Sequence, residues 1–134
     1  MIWNCFVAFS NILAISKLLF RLHEPNFFDK YSLILTMASI SFLMHMSETK
    51  HNLPGVYPLN KLSWYFLQLD RLGCLVILIN GSIYKLSLND WIIGIFGLGC
   101  LFISENIKLK PYQFAIYHSI WHICAFNVLI NICQ

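Results

Sequence analysis

The chain has 134 residues, of which 58% are hydrophobic and 11% charged, with a formal net charge of +3. An ordinary soluble domain carries about 25% charged residues, so this composition excludes a globule that covers its surface in water. It points instead to an exterior solvated by hydrocarbon, with helices satisfying their own backbone. The positive balance comes from scattered residues and not from a run, which gives no basis for a nucleic-acid interface.

A bilayer core of about 30 Å needs about 20 helical residues to cross, and the intervals between charges supply five candidates. The first covers about residues 1–20 and ends at Lys17 and Arg21, long side chains that can reach the headgroups. It lacks a basic start and a small-residue cleavage site, so it reads as a retained span and not as a leader. The second covers about 31–46, between Lys30 and Glu48. Pro54, Gly55 and Pro58 make the stretch from His51 to Asn60 a loop. The third covers about 62–84 and carries Asp70 and Arg71 inside it. The fourth, about 91–104 between Asp90 and Glu105, is short for a crossing and needs its flanks or local thinning. The fifth, about 111–133, is free of charge and starts at Pro111, which suits a first helical position. The predicted fold class is therefore all-α: a polytopic transmembrane helical bundle of about five spans, one membrane unit without repeats or a soluble domain.

Cys5, Cys74, Cys100, Cys124 and Cys133 lie in apolar stretches with no CxxC spacing, and read as buried small hydrophobes without a disulfide framework. Trp3, Trp64 and Trp91 fall near span ends, as interfacial aromatics do. Asn80 and Asn127 lie in spans and suit interhelical hydrogen bonds. His23 and His51 fall in loops, where a solvated histidine is the default, and Glu48 with Lys50 reads as a headgroup-facing pair.

His118 and His122 stand four apart, so both rings leave one helical face a turn apart and could share a metal. The plainer reading is a pair of interfacial histidines bonded to neighbouring helices. Ser41 and His45 repeat the spacing in the second span. Three histidines from two helices would leave a zinc with an open fourth position, as in a catalytic site, whereas a structural zinc would be closed by a fourth side chain. Cys74 and Cys124 stay open as that fourth ligand. Asp70 is the most costly residue, since a carboxylate inside a span costs a few kcal/mol even on lenient insertion scales. Pairing with Arg71 offsets this poorly, because adjacent helical residues do not face one another. A cation in the bundle, or histidines holding one, favours the ionised form more strongly. With five alternating spans, His45, Asp70, His118 and His122 all fall toward one leaflet; without the fourth crossing they would be split.

These residues resemble the CREST superfamily of membrane hydrolases and receptors, which includes alkaline ceramidases, progestin and adipoQ receptors and myomaker-like proteins. Its pattern is a serine shortly before a histidine in the second helix, an aspartate in the third and a spaced histidine pair in the last, here Ser41 with His45, Asp70, and His118 with His122. The wording is similar to the myomaker and post-GPI-attachment phospholipase branch: Pro54-Gly55 soon after His45, LQLDRLG from Leu67 to Gly73, and HSIWHICA from His118 to Ala125. The chain departs from the family in fitting about five helices instead of seven, and in placing Arg71 where relatives commonly have an aromatic residue.

The resemblance implies a zinc held by His45, His118 and His122, with Asp70 accepting or orienting the water proton and Ser41 donating to the oxyanion. The implied activity is hydrolysis of an amide or ester in a membrane lipid, ceramidase-like or phospholipase-like. The alternative is a non-enzymatic protein of the same fold, a receptor, fusion or assembly factor, keeping zinc as a structural staple. Haem ligation leaves Ser41 and Asp70 without a role. Lys17, Arg21, Lys30 and Lys85 on one face balance Lys50, Lys61, Lys108 and Lys110 on the other, so the positive-inside rule does not orient the chain.

Overall fold

The structure is a computed structural model that describes the backbone of residues 1–81 and 86–133, and the side chains of these except 77–81. Among the described residues it is all-α. Helix α1 (Ile2–Ile15) continues as a 3-10 segment (Ser16–Arg21), and α2 (Phe27–Ser47) follows. A short 3-10 turn (Leu59–Leu62) leads into α3 (Ser63–Gly81), then α4 (Leu88–Asn106) and α5 (Pro111–Ile132). Among the described residues four stretches are long and apolar enough to cross a membrane, Ile2–Arg21, Phe27–Ser47, Leu88–Asn106 and Pro111–Ile132, and α3, expected as the third span, is not one of them. The last residues expected for the third span, 82–84, lie outside the described residues, as do Lys85 and the Asn80 side chain.

The fourth helix is longer than its uncharged interval, because both bounding acids are used inside it. Asp90 occupies the third position of a capping box with Ser87, satisfying orphan amides of the first turn. Its other oxygen accepts from Asn131 of α5 at 2.8 Å. Glu105 stays in the last turn, where it faces histidines. Charge marks the ends of a span only when the charged side chain faces water or headgroups, and here neither does so alone.

Neighbouring side chains set the helix directions. Asn4 of α1 donates to the carbonyls of His45 and Glu48 at the end of α2, so these two run antiparallel. Ser10 of α1 meets His122, and Lys17 donates to Asn127 and Asn131, so α1 and α5 run parallel. Ser104 meets His118 while Asp90 meets Asn131, so α4 runs antiparallel to α5. Met37 of α2 fills the space beside Gly73 of α3. Helix α5 thus packs on α1 and α4, touches α2 and α3, and forms the centre of the bundle. Gly97 permits the α4–α5 approach, since a Cβ there would come within 2.6 Å of the Cys124 Cβ.

The burial pattern is inside-out. Phe6, Phe9, Phe20, Trp64, Ile92, Ile95 and Phe102 are exposed, while Asn4, Ser10, Asn11, Ser41, His45, Glu48, Ser104, His118 and His122 are buried. In hydrocarbon this is the stable sense, because lipid solvates the apolar exterior and the polar groups find partners between helices. Two apolar clusters bracket the polar interior. One joins Ala14, Leu18, Tyr31, Ile34, Phe126 and Ile130; the other joins Val7, Leu53, Phe114 and Ala115. The loop that follows α2 closes over the second cluster. Its turn requires Gly55, whose φ is +63° and whose added Cβ would meet the Ser47 carbonyl at 2.7 Å.

The five cysteines are free, as their spacing predicts, but only Cys100 and Cys124 are buried; Cys5, Cys74 and Cys133 are half-buried. Asn127 takes the interhelical role expected of it, with Lys17 as partner. Trp64 and Trp91 are exposed and Trp3 is half-buried.

Candidate metal centre

Three rings meet between α2 and α5. The centroids of His45, His118 and His122 are 4.7, 4.8 and 4.9 Å apart, a nearly equilateral triangle in which no two rings stack. Each contributes one nitrogen to a group lying within 4.8 Å, and the His45 and His122 Nε2 atoms are 3.1 Å apart. The four-residue spacing on α5 puts His118 and His122 on the face turned to α2, while His45 comes from the last turn of α2.

The neighbours decide which nitrogens carry protons. Ser10 spends its single hydroxyl proton on the Val7 carbonyl at 2.6 Å, so toward His122 Nδ1, 2.7 Å away, its oxygen accepts. Ser104 spends its proton on the Leu101 carbonyl at 2.8 Å and accepts from His118 Nδ1 at 3.1 Å. The Glu48 carboxylate accepts from His45 Nδ1 at 2.9 Å. All three rings are therefore held as Nδ1–H tautomers whose Nε2 lone pairs are free. A proton could bridge one pair of such nitrogens but not three. A cation could satisfy them together: nitrogens bound at about 2.0–2.1 Å in a tetrahedral site stand about 3.3 Å apart, close to the 3.1 Å between His45 and His122 and inside the 4.8 Å that spans the group. The donor set fits a metal ion, and the Nδ1 partners are the outer supports that metal histidines require.

No protein-family model matches the chain, and no curated protein or solved structure is significantly similar to it. The centre is read from its own geometry.

Asp70 and Ser41, the other residues singled out from the sequence, adjoin the histidines. The Ser41 hydroxyl lies 3.5 Å from His122 Nε2 and within hydrogen-bond reach of the half-buried Asp70 carboxylate on α3. Arg71 is exposed, and its charge acts on Asp70 less than His45 does. Cys74 and Cys124 are not members of the metal group, which among the described residues holds three histidines and no fourth ligand.

Two sequence readings are corrected. Glu48 does not face headgroups beside Lys50: it is 5% exposed, because one helical turn after His45 its carboxylate is drawn to the ring nitrogen. His51 is not a solvated loop histidine. Its side chain is 16% exposed and stacks on Phe114 at 4.1 Å, with Nε2 between the Glu48 and Glu105 carboxylates. His23 is exposed, as expected. Ser10, Ser104 and Glu105 escape sequence reasoning, since only helix packing brings α1 and α4 to the rings. Glu48 had a signal, its three-residue offset from His45.

The outer supports can be tested without removing a ligand. Glu48→Ala is expected to weaken metal binding by about 10–100-fold, because His45 loses the acceptor that orients it. Glu48→Gln keeps an acceptor and is expected to weaken it less. Competition against a chelator of known affinity measures both.

Proposed function

We propose that the chain is a zinc-dependent intramembrane hydrolase that cleaves an amide or ester bond of a membrane lipid. The observation that carries this reading is the convergence of three histidine lone pairs beside Ser41 and Asp70, with no fourth protein ligand in the group. A zinc kept only as a staple would be closed by a further side chain. The resemblance of Ser41, His45, Asp70, His118 and His122 to the CREST pattern supports the same conclusion. The exposed apolar surface of the helices suits contact with the bilayer, where a lipid substrate would be met.

Lewis acidity and activation of water near neutral pH are what a bound zinc supplies. The protein's own groups do the rest. His45, His118 and His122 hold the ion, their tautomers set by Glu48, Ser104 and Ser10. Asp70 takes the proton of the attacking water, a role suited to a carboxylate adjoining the ligands. Ser41, whose hydroxyl lies 3.5 Å from His122 Nε2, donates to the oxyanion of the tetrahedral intermediate. The apolar clusters on either side keep bulk water from screening these interactions.

The test is release of free fatty acid by zinc-loaded protein from ceramide or phospholipid in mixed micelles. Release is expected to stop on chelation and return with zinc. Protein that holds one zinc per chain and releases fatty acid from neither class would overturn the hydrolase reading and leave a structural zinc.

A further inference from the structure

The metal histidines are 1–5% exposed and lie between two apolar clusters, so a divalent cation needs a polar route to them from one aqueous face. Two depressions flank the centre. One, over α1 and α5, reaches Ser10 and Ser119 but is walled by Ile2, Phe6, Phe9 and Leu13 and exposes almost no polar surface to a cation. The other opens between the loop after α2 and the α4–α5 connection, and is lined by His51, Asn52, Glu105, Asn106 and Lys108.

The inner wall of this second pocket is where the centre comes close to water. Glu105 Oε1 lies 3.7 Å from His118 Nδ1 and 3.7 Å from His51 Nε2, and its side chain is 35% exposed. His51 Nε2 is also 3.9 Å from Glu48 Oε1, whose partner oxygen holds His45. Both carboxylates stand beyond hydrogen-bond range of that nitrogen, which is buried and has no hydrogen-bond partner. A nitrogen and two carboxylates thus converge without a close hydrogen bond, the His51–Glu105 attraction acting across 3.7 Å, and each carboxylate leads to a different metal histidine. Donor atoms sharing a cation at about 2.0–2.1 Å are separated by about 3–4 Å, so the His51–Glu105 pair already has the spacing of two ligands.

We propose that this pocket is the metal-loading port of the centre, with His51 and Glu105 as transient ligands that take a divalent cation from water and pass it to the three histidines. The proposal rests on the metal-site reading above. The field at the mouth is mixed, since Lys108 lines the same pocket and Lys50 acts on Glu105. Capture therefore depends on the ligand pair, and the charge of the rim tunes its rate.

Uptake of Co2+ by metal-free full-length protein in detergent, followed by its ligand-field absorption after rapid mixing, tests this directly. Glu105→Gln and His51→Gln are each expected to slow uptake by about tenfold or more. Release should slow in step, leaving the equilibrium affinity little changed, as a raised barrier on the path requires. Lys108→Glu changes an exposed side chain that lines the pocket; it is expected to speed uptake, by less as salt is added. Unchanged uptake rates in the first two variants overturn the proposal, as does affinity lost only through faster release, which marks outer support of the ligands. Wild-type protein that develops no cobalt absorption refutes the metal site itself, a result distinct from either.

Discussion

His122→Ala is expected to remove metal from the protein, taking the content of purified chain from about one ion to a small fraction of one. The loss should exceed the 10–100-fold range of outer-support changes, because the variant removes a donor from a set of only three. His122 is also the ring through which α1 and Ser41 join the centre, with Ser10 at 2.7 Å on one nitrogen and His45 at 3.1 Å on the other. His118→Ala should behave alike. Two controls separate this from general damage: His23→Ala, in an exposed loop, and Cys124→Ser, on α5 but outside the metal group, should both retain the ion. Elemental analysis of the four variants beside the wild type decides the matter. Retention by His122→Ala at wild-type level would mean that the triangle of rings is held by hydrogen bonds alone.

Under the proposed hydrolase function, Asp70→Asn is expected to abolish lipid turnover without loss of the metal. The substitution keeps the shape of the side chain and an acceptor for the Ser41 hydroxyl, but removes the group able to take a proton, a change worth about 10²–10⁴-fold in rate. Because Asp70 is outside the metal group, zinc content should not change. Arg71→Ala is the matched control: the side chain is exposed on the same helix, and its loss should leave turnover nearly intact. Equal turnover in Asp70→Asn and wild type would assign the proton to another acceptor and return Asp70 to a structural role.

Much of the bundle could be read from charge intervals, since apolar length is a property of the chain alone. Residues 111–133 were legible as a helix to within one residue, because Pro111 opens it and no charge interrupts it. The interval 91–104 was short by several residues, because Asp90 and Glu105 lie inside α4 and are satisfied by Ser87, Asn131 and the histidines. Among the site residues, His118 and His122 announced themselves by spacing, and Asp70 by its cost inside a span. Glu48 and His51 were misread, for a charged or imidazole side chain near a loop carries no local sign of whether the loop folds back over the helices.

The kind of molecule and its local geometry follow from the chain alone. Its apolar intervals dictate helices, and the four-residue spacings of Ser41 with His45 and of His118 with His122 dictate which rings share a face. The chemical state of those rings, by contrast, comes from packing. The tautomer of each depends on an acceptor supplied by another turn or helix: Glu48 for His45, Ser104 for His118, Ser10 for His122. A hydrogen bond between residues 112 apart, such as Ser10 with His122, is set by how helices pack. Packing is a property of the whole apolar surface, and no local pattern in the chain encodes it.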